Sequence, residues 1–310
     1  MTAARAADAL AEPGVTVSPP NDPAAALVWV DGRRVDVSRP VVSALDRGFT
    51  LADGLFETMR VYRGTVFRLE RHLERFAAGA AVLDIAIPDR VRDTIAAAAV
   101  AVREIGWRDA VLRLTLTRGI GPRGLAPHAG SMSTTVLTAH ALAPLAPLAA
   151  RTLRVLTAAA RRNEFAATAG LKTLAYVESV VALAHARAAG ADDAIFLDTA
   201  GHLSEASASN LFIVTGSTLR TPPRDCGVLP GITRAAVLEV AGAIGLTARE
   251  EVLLPADLAG AGEAFLTSSI RELAPIESVD GRSLPNGAPG PVTRRVAGAF
   301  VELVDRECPA

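Results

Sequence analysis

Lysine is almost missing from this chain. Of its 32 Lys and Arg side chains only Lys172 is a lysine, which leaves 32 − 1 = 31 arginines. Arginine serves wherever a positive charge is enough, but its guanidinium keeps its proton and cannot act as an amine toward a carbonyl. A single retained lysine is therefore either a leftover surface cation or an amine with chemistry to do, and composition alone leaves both open. Cysteine is equally scarce: Cys226 and Cys308 exclude a disulfide framework and a cysteine-based metal quartet. His72, His128, His140, His185 and His202 show no ligand spacing of the H-x-x-x-H kind, so no metal site is expected. An excess of charge is absent too. Thirty-two basic against 33 acidic residues, net charge −1, carries no footprint for nucleic acid or an anionic membrane. No apolar run reaches membrane-spanning length without a charge or helix breaker. Residues 1–23 are rich in Ala and Pro and lack the basic start and apolar stretch of a signal peptide. They read as a disordered tail, and the protein as cytoplasmic.

What is present suits a globular protein: 50% hydrophobic and 21% charged residues supply a sizeable core. The length predicts two domains, the first an α+β unit over 24–142, then a linker at 143–151 in the uncharged, proline-bearing ALAPLAPLAA stretch, then a larger domain over 152–310. In the first domain a hairpin is expected at Leu27–Val30 and Val35–Val37, and strands at Glu57–Tyr62, Val111–Thr117 and Ser133–Thr138. Helices are expected at Leu69–Leu83, where Leu69, Leu73, Phe76, Ala80 and Leu83 recur at helical spacing, and at Val91 to Ile105. In the second, strands are expected at Leu153–Thr157, Ala194–Asp198, Leu211–Val214, Arg249–Leu253 and Glu263–Thr267. Its helices are expected from Ala175 to Ala189, from Gly231 onward, and from Val292 to Val304.

Six segments then stand in order: DRGFTLADGLFETMRVYRG, FRLERHLERF, GLKTLAYVESV, LSEASASNLFIV, GVLPGITR and FLTSSIRELAPI. In order and wording they resemble the aminotransferase class IV family, from about Ala26 to Leu303. The family includes branched-chain and D-amino-acid aminotransferases and 4-amino-4-deoxychorismate lyase. The resemblance implies a two-domain α+β fold of pyridoxal-phosphate (PLP) fold type IV, like D-amino-acid aminotransferase. It implies PLP as cofactor and a homodimer whose active sites lie between domains at the subunit interface. Lys172 is then the Schiff-base lysine, and its freed amine the proton carrier. Glu205 matches the acidic residue at the pyridine nitrogen, beside Ser207, Ser209 and Asn210. Arg75, Ile232, Thr233, Ser268 and Ser269 match the phosphate-binding set. An anion favours the N–H groups at a helix start, hydroxyls and an arginine. Tyr176 falls either against the cofactor's O3′ or simply in a buried helix face. Ala175 and Ala206 depart from the usual asparagine and glycine without removing chemistry.

The reaction is less fixed, because transamination, elimination and racemisation share a first step. In TRGIGPRGLAP, Arg123 aligns with the arginine that binds the substrate carboxylate in D-amino-acid aminotransferases. Leu125 and Phe56 stand where those enzymes carry histidine and tyrosine. Phe56, Arg113, Arg123 and Ile270 are the substrate candidates, Arg113 by analogy with branched-chain enzymes. The expectation is an aminotransferase exchanging an amino group between an amino acid, preferably D-alanine or D-glutamate, and a 2-oxo acid. A lyase releasing pyruvate and 4-aminobenzoate is the alternative, and a branched-chain L-amino-acid aminotransferase a lesser one. Retention of Lys172, Glu205, Arg75 and Thr233 together speaks against a catalytically silent homologue.

Overall fold

The computed structural model describes residues 26–36, 41–127 and 130–309. The expected tail at 1–23 and Val37 lie outside them. The chain divides into two compact units. The first holds the described residues up to Pro144 together with Leu171–Ala175 and the chain end from Glu307. The second holds Leu145–Gly170 and Tyr176–Arg306.

In the first unit, β1 (Ala26–Val30), β2 (Arg33–Val35), β3 (Gly54–Tyr62), β4 (Thr65–Val66), β5 (Asp109–Thr117) and β6 (Thr134–Ala141) form an antiparallel sheet in the order β2-β1-β6-β5-β3-β4. Strand alternation sorts β3 into two faces. Leu55, Met59 and Val61 join Leu112, Leu114 and Leu116 of β5 in one apolar cluster, covered by Phe76, Ala80, Ile95 and Val102 of two helices. These are α2 (Leu69–Leu83) and α3 (Val91–Glu104), and each large apolar side chain so buried contributes about 1.5–3 kcal/mol. A short helix that periodicity could not show, α1 (Arg47–Leu51), is started by the Asp46 carboxylate accepting from Gly48 N at 2.7 Å.

β4 is only two residues long and pairs with Val61 and Tyr62, so the first half of β3 has a free edge. The segment around Lys172 fills it. Phe56 N donates to Lys172 O at 2.9 Å, Leu174 N donates to Gly54 O at 3.0 Å, and Leu55 lies opposite Thr173. This corrects the expectation that Lys172 belongs with the second domain. An edge with unpaired N–H and C=O groups draws in five residues that are distant in sequence.

The second unit contains β7 (Leu153–Arg162), α4 (Val177–Ala188), β8 (Asp193–Asp198), β9 (Leu203–Ala206), β10 (Asn210–Thr215), β11 (Thr218–Thr221), α5 (Ile232–Ala243), β12 (Thr247–Glu250), α6 (Pro255–Ala259), β13 (Glu263–Ser268), β14 (Glu272–Val279), β15 (Arg282–Ser283) and α7 (Pro291–Glu307). Its mixed sheet runs β12-β11-β10-β13-β14-β7-β8-β9, with β15 beside β14. The expected strand at Arg249–Leu253 is displaced: pairing with β11 ends at Glu250, and Leu253 is buried in the core instead. β14 went unforeseen because Pro275 interrupts its sequence. Pro275 lies opposite Phe265 of β13, while pairing with β7 starts only at Ile276, so the missing N–H costs no bond to β7.

Candidate active site

Lys172 is half-buried, and its Nζ lies 4.5 Å from the centre of the Phe56 ring. The Arg113 guanidinium stacks on the same ring at 3.6 Å. Register explains the meeting: Thr58 faces Arg113 and Phe56 faces Thr115, so Phe56 and Arg113 are diagonal neighbours on one side of the sheet. β3 can approach this closely because residue 54 is glycine. A Cβ there would lie 2.3 Å from Leu116 O and 2.9 Å from Leu174 Cδ1.

On the opposite side of β3, buried Glu57 receives Arg75 in a fork, Nε to Oε1 and Nη2 to Oε2, both at 2.7 Å. His72 Nδ1 meets Oε2 at 2.7 Å. Burial works to raise the Glu57 carboxyl, but the hydrogen bonds from His72 and Arg75 outweigh it and hold the group down at about 2. His72 is pushed below its ordinary range by burial, only partly offset by Glu57. The imidazole therefore stays neutral and donates to a carboxylate. Motif reading singled out Arg75 and missed Glu57 and His72. The available signal was a glutamate at a core-facing position of an alternating strand.

Arg123 sits exposed in the loop after β5. The loop is anchored by Arg47, whose Nη1 and Nη2 donate to Gly124 O and Leu125 O at 2.9 Å each. Arg47 Nε pairs with Asp53 at 2.8 Å, as does Arg118.

In the second unit Glu205 is half-buried on β9. Its Oε2 accepts from Asn210 Nδ2 at 3.1 Å and Leu229 N at 3.0 Å. Arg162 Nη2 stands 3.7 Å from Oε1 and its guanidinium lies over Phe196 at 4.4 Å. This arginine, too, escaped the sequence reading. Asn210 also donates to Leu229 O at 2.9 Å, and a Cβ on Gly231 would fall 1.9 Å from Asn210 Oδ1. Only glycine fits at this N-cap of α5, whose first residues, Ile232 and Thr233, are buried. Their N–H groups have no partner within the helix. Thr267, opposite Asn210 on β13, has a buried hydroxyl with no hydrogen-bond partner. Ser209 is buried beside Asn210, while Ser207 Oγ donates to Asp193 at 2.5 Å, which in turn holds Arg271 at 2.8 Å. Ser268 Oγ accepts from Arg271 N at 3.1 Å, with Ser269 and Ile270 in the turn that follows β13. Tyr176 is the N-cap residue of α4.

Thus Lys172, Phe56 and Arg113 come together in one unit, with Arg75 held on the other side of the same strand. Glu205, Asn210 and the start of α5 come together in the other. A family model, Amino-transferase class IV, matches residues 54–279. A Methanocaldococcus jannaschii protein provisionally named a branched-chain-amino-acid aminotransferase is 35% identical over 89% of this chain and 96% of its own length. A Listeria innocua D-alanine aminotransferase is 31% identical over 91% and 97%. Among solved structures, a branched-chain amino acid aminotransferase from Escherichia coli superposes with TM-score 0.82 at 28% identity, covering 90% of this chain and 94% of that one. A 4-amino-4-deoxychorismate lyase from Pseudomonas aeruginosa superposes with TM-score 0.75 at 32% identity, covering 91% and 100%.

Proposed function

We propose that this chain, which belongs to the amino-transferase class IV family and is a PLP-dependent transaminase, binds its substrate carboxylate through Arg113 and moves the substrate proton with Lys172. The observation that carries this reading is the shared ring: an amine and a guanidinium both rest on Phe56. A guanidinium offers a carboxylate two parallel N–H donors, and the apolar ring beside it suits an aliphatic side chain. PLP, when bound, supplies a conjugated ring that takes up the electron pair left on the substrate carbon.

The residues present fit such a group. Within the second unit, the start of α5 and the unpartnered Thr267 hydroxyl offer donors to a phosphate. In this reading Glu205, fixed by Asn210 and Leu229, keeps a proton at the pyridine nitrogen. Arg162 Nη2 flanks the other carboxylate oxygen at 3.7 Å. Glu57 fixes the plane of the Arg75 fork. Lys172 would hold the cofactor through its amine and, once freed by substrate, would carry the substrate proton.

Two substrate readings remain, each attached to its own arginine. Carboxylate binding by Arg113 goes with a branched-chain L-amino-acid substrate, and the M. jannaschii and E. coli relatives are named as branched-chain aminotransferases. A D-amino-acid preference, for D-alanine or D-glutamate, rests on Arg123 in the RGIGPRG loop. Mixing the enzyme separately with L-leucine, D-alanine, D-glutamate and aminodeoxychorismate decides among them. Pyridoxamine phosphate forming with L-leucine and lost in Arg113→Ala supports the lead. Its formation with D-amino acids alone, lost in Arg123→Ala, supports the second. 4-Aminobenzoate without pyridoxamine phosphate refutes both. We also propose a cytoplasmic homodimer. Exposed Val177, Val180 and Val181 line one face of α4, which suits a partner surface. A monomeric mass by light scattering would rule the dimer out.

A further inference from the structure

Away from Glu205's carboxylate, the second unit gathers three different metal-ligating side chains that spacing in the sequence did not reveal. Asp198 ends β8 and His202 follows the turn Thr199–Gly201, closed by Gly201 at φ +89°. Asp198 accepts from His202 N at 2.8 Å and meets His202 Nδ1 at 2.9 Å. Cys226 comes from a separate stretch. It closes a single 3-10 turn, Arg224–Cys226, and its carbonyl accepts from Ser204 Oγ at 2.7 Å.

We propose that Asp198, His202 and Cys226 form a binding site for a divalent cation of the zinc class. The donor atoms of the three all lie within 4.8 Å of one another. A tetrahedral ion bound at about 2.0–2.3 Å sets its ligands about 3.3–3.8 Å apart, so small side-chain rotations close the set. One sulfur, one imidazole nitrogen and one carboxylate oxygen select zinc over magnesium or calcium. Thiolate and carboxylate together cancel the charge of the ion. Asp198 and Cys226 are buried, while the His202 side chain is 32% exposed, which gives the ion a way in. Binding an ion displaces the thiol proton to solvent. Glu164 steadies the turn from outside, accepting from Thr199 N at 3.0 Å and Thr199 Oγ1 at 2.6 Å.

The ion would act as a brace. Cys226 opens the stretch whose Leu229 N reaches Glu205, and His202 leads into the strand that carries Glu205. The binding claim is independent of the catalytic reading. Tag-free holoenzyme, stripped with a chelator, is titrated with Co²⁺ alone. One equivalent per chain is expected to give the visible bands of tetrahedral cobalt and a sulfur-to-cobalt charge-transfer band, all displaced by Zn²⁺. Cys226→Ser should remove the charge-transfer band and weaken binding by more than about 100-fold. His202→Gln should weaken binding by at least the roughly 10–100-fold typical of losing an outer-shell partner and keep the sulfur band. No such bands in the wild type, or the same bands in Cys226→Ser, would overturn the site. If Cys226→Ser does not fold, the decision passes to wild type against His202→Gln: equal affinity for the two overturns it.

Discussion

Arginine cannot stand in for Lys172, and this makes the substitution Lys172→Arg the sharpest test of its role. The change keeps the charge beside Phe56 but removes the amine that can deprotonate. Turnover is expected to vanish together with the absorbance of lysine-bound cofactor. Transamination surviving within a factor of about ten would refute the assignment. Glu205→Gln keeps the shape and the contact with Leu229 N but loses the carboxylate. The half-reaction with amino acid should slow by about 10²–10³, the size of losing one aimed electrostatic contact. Stopped-flow rates equal to wild type would remove Glu205 from the mechanism. Both residues were legible in the sequence because a lone lysine and an S-E-x-S-x-S-N run are local patterns. Glu57, His72 and Arg162 were not. Their meaning lies in which arginine or carboxylate each one faces, and only folding decides that.

Among elements, periodicity was sufficient where a face is buried. α2 spans Leu69–Leu83 as its apolar spacing predicts, and β5 and β13 stand close to their expected bounds. It failed where long-range pairing sets the ends, as for β12, β14 and the Lys172 segment on the β3 edge. The anchored loop after β5 makes a prediction at this scale. Arg47→Ala removes the donors to the two carbonyls that follow Arg123, those of Gly124 and Leu125, together with the pair to Asp53. If Arg123 binds substrate, KM should rise several-fold with kcat nearly unchanged. A fall in kcat with constant KM would assign the loop to another step. Gly54→Ala should cost about 1–3 kcal/mol in stability, because its Cβ meets the Leu116 carbonyl at 2.3 Å. Thermal melting measures this, and an unchanged midpoint would show that β3 can shift.

Over the whole molecule, the buried Glu57–His72–Arg75 set fixes a direction for pH dependence. Both titrating groups have folded values below their ordinary ones, near 2 against 4.5 for Glu57 and below 6.5 for His72. The stability that Glu57 contributes is complete above about 4.5 and is lost as pH falls through about 2. His72, buried neutral, contributes above about 6.5 and begins to lose its share below it. Melting temperature should therefore decline on acidification from about pH 6.5. His72→Gln, which can still donate to Glu57, should flatten the upper part of that decline. An identical profile in the variant would place the acid sensitivity elsewhere.

The strip of backbone beside β3 has a kinetic meaning as well. Lys172 is tied to that strand by two amide protons, those of Phe56 and Leu174. Their exchange with deuterium reports each departure of the segment from the sheet. If they exchange much faster than their neighbours on β3 and β5, the reactive amine rides on a latch that opens without unfolding. If they exchange at the same rate, the amine is as fixed as the sheet itself.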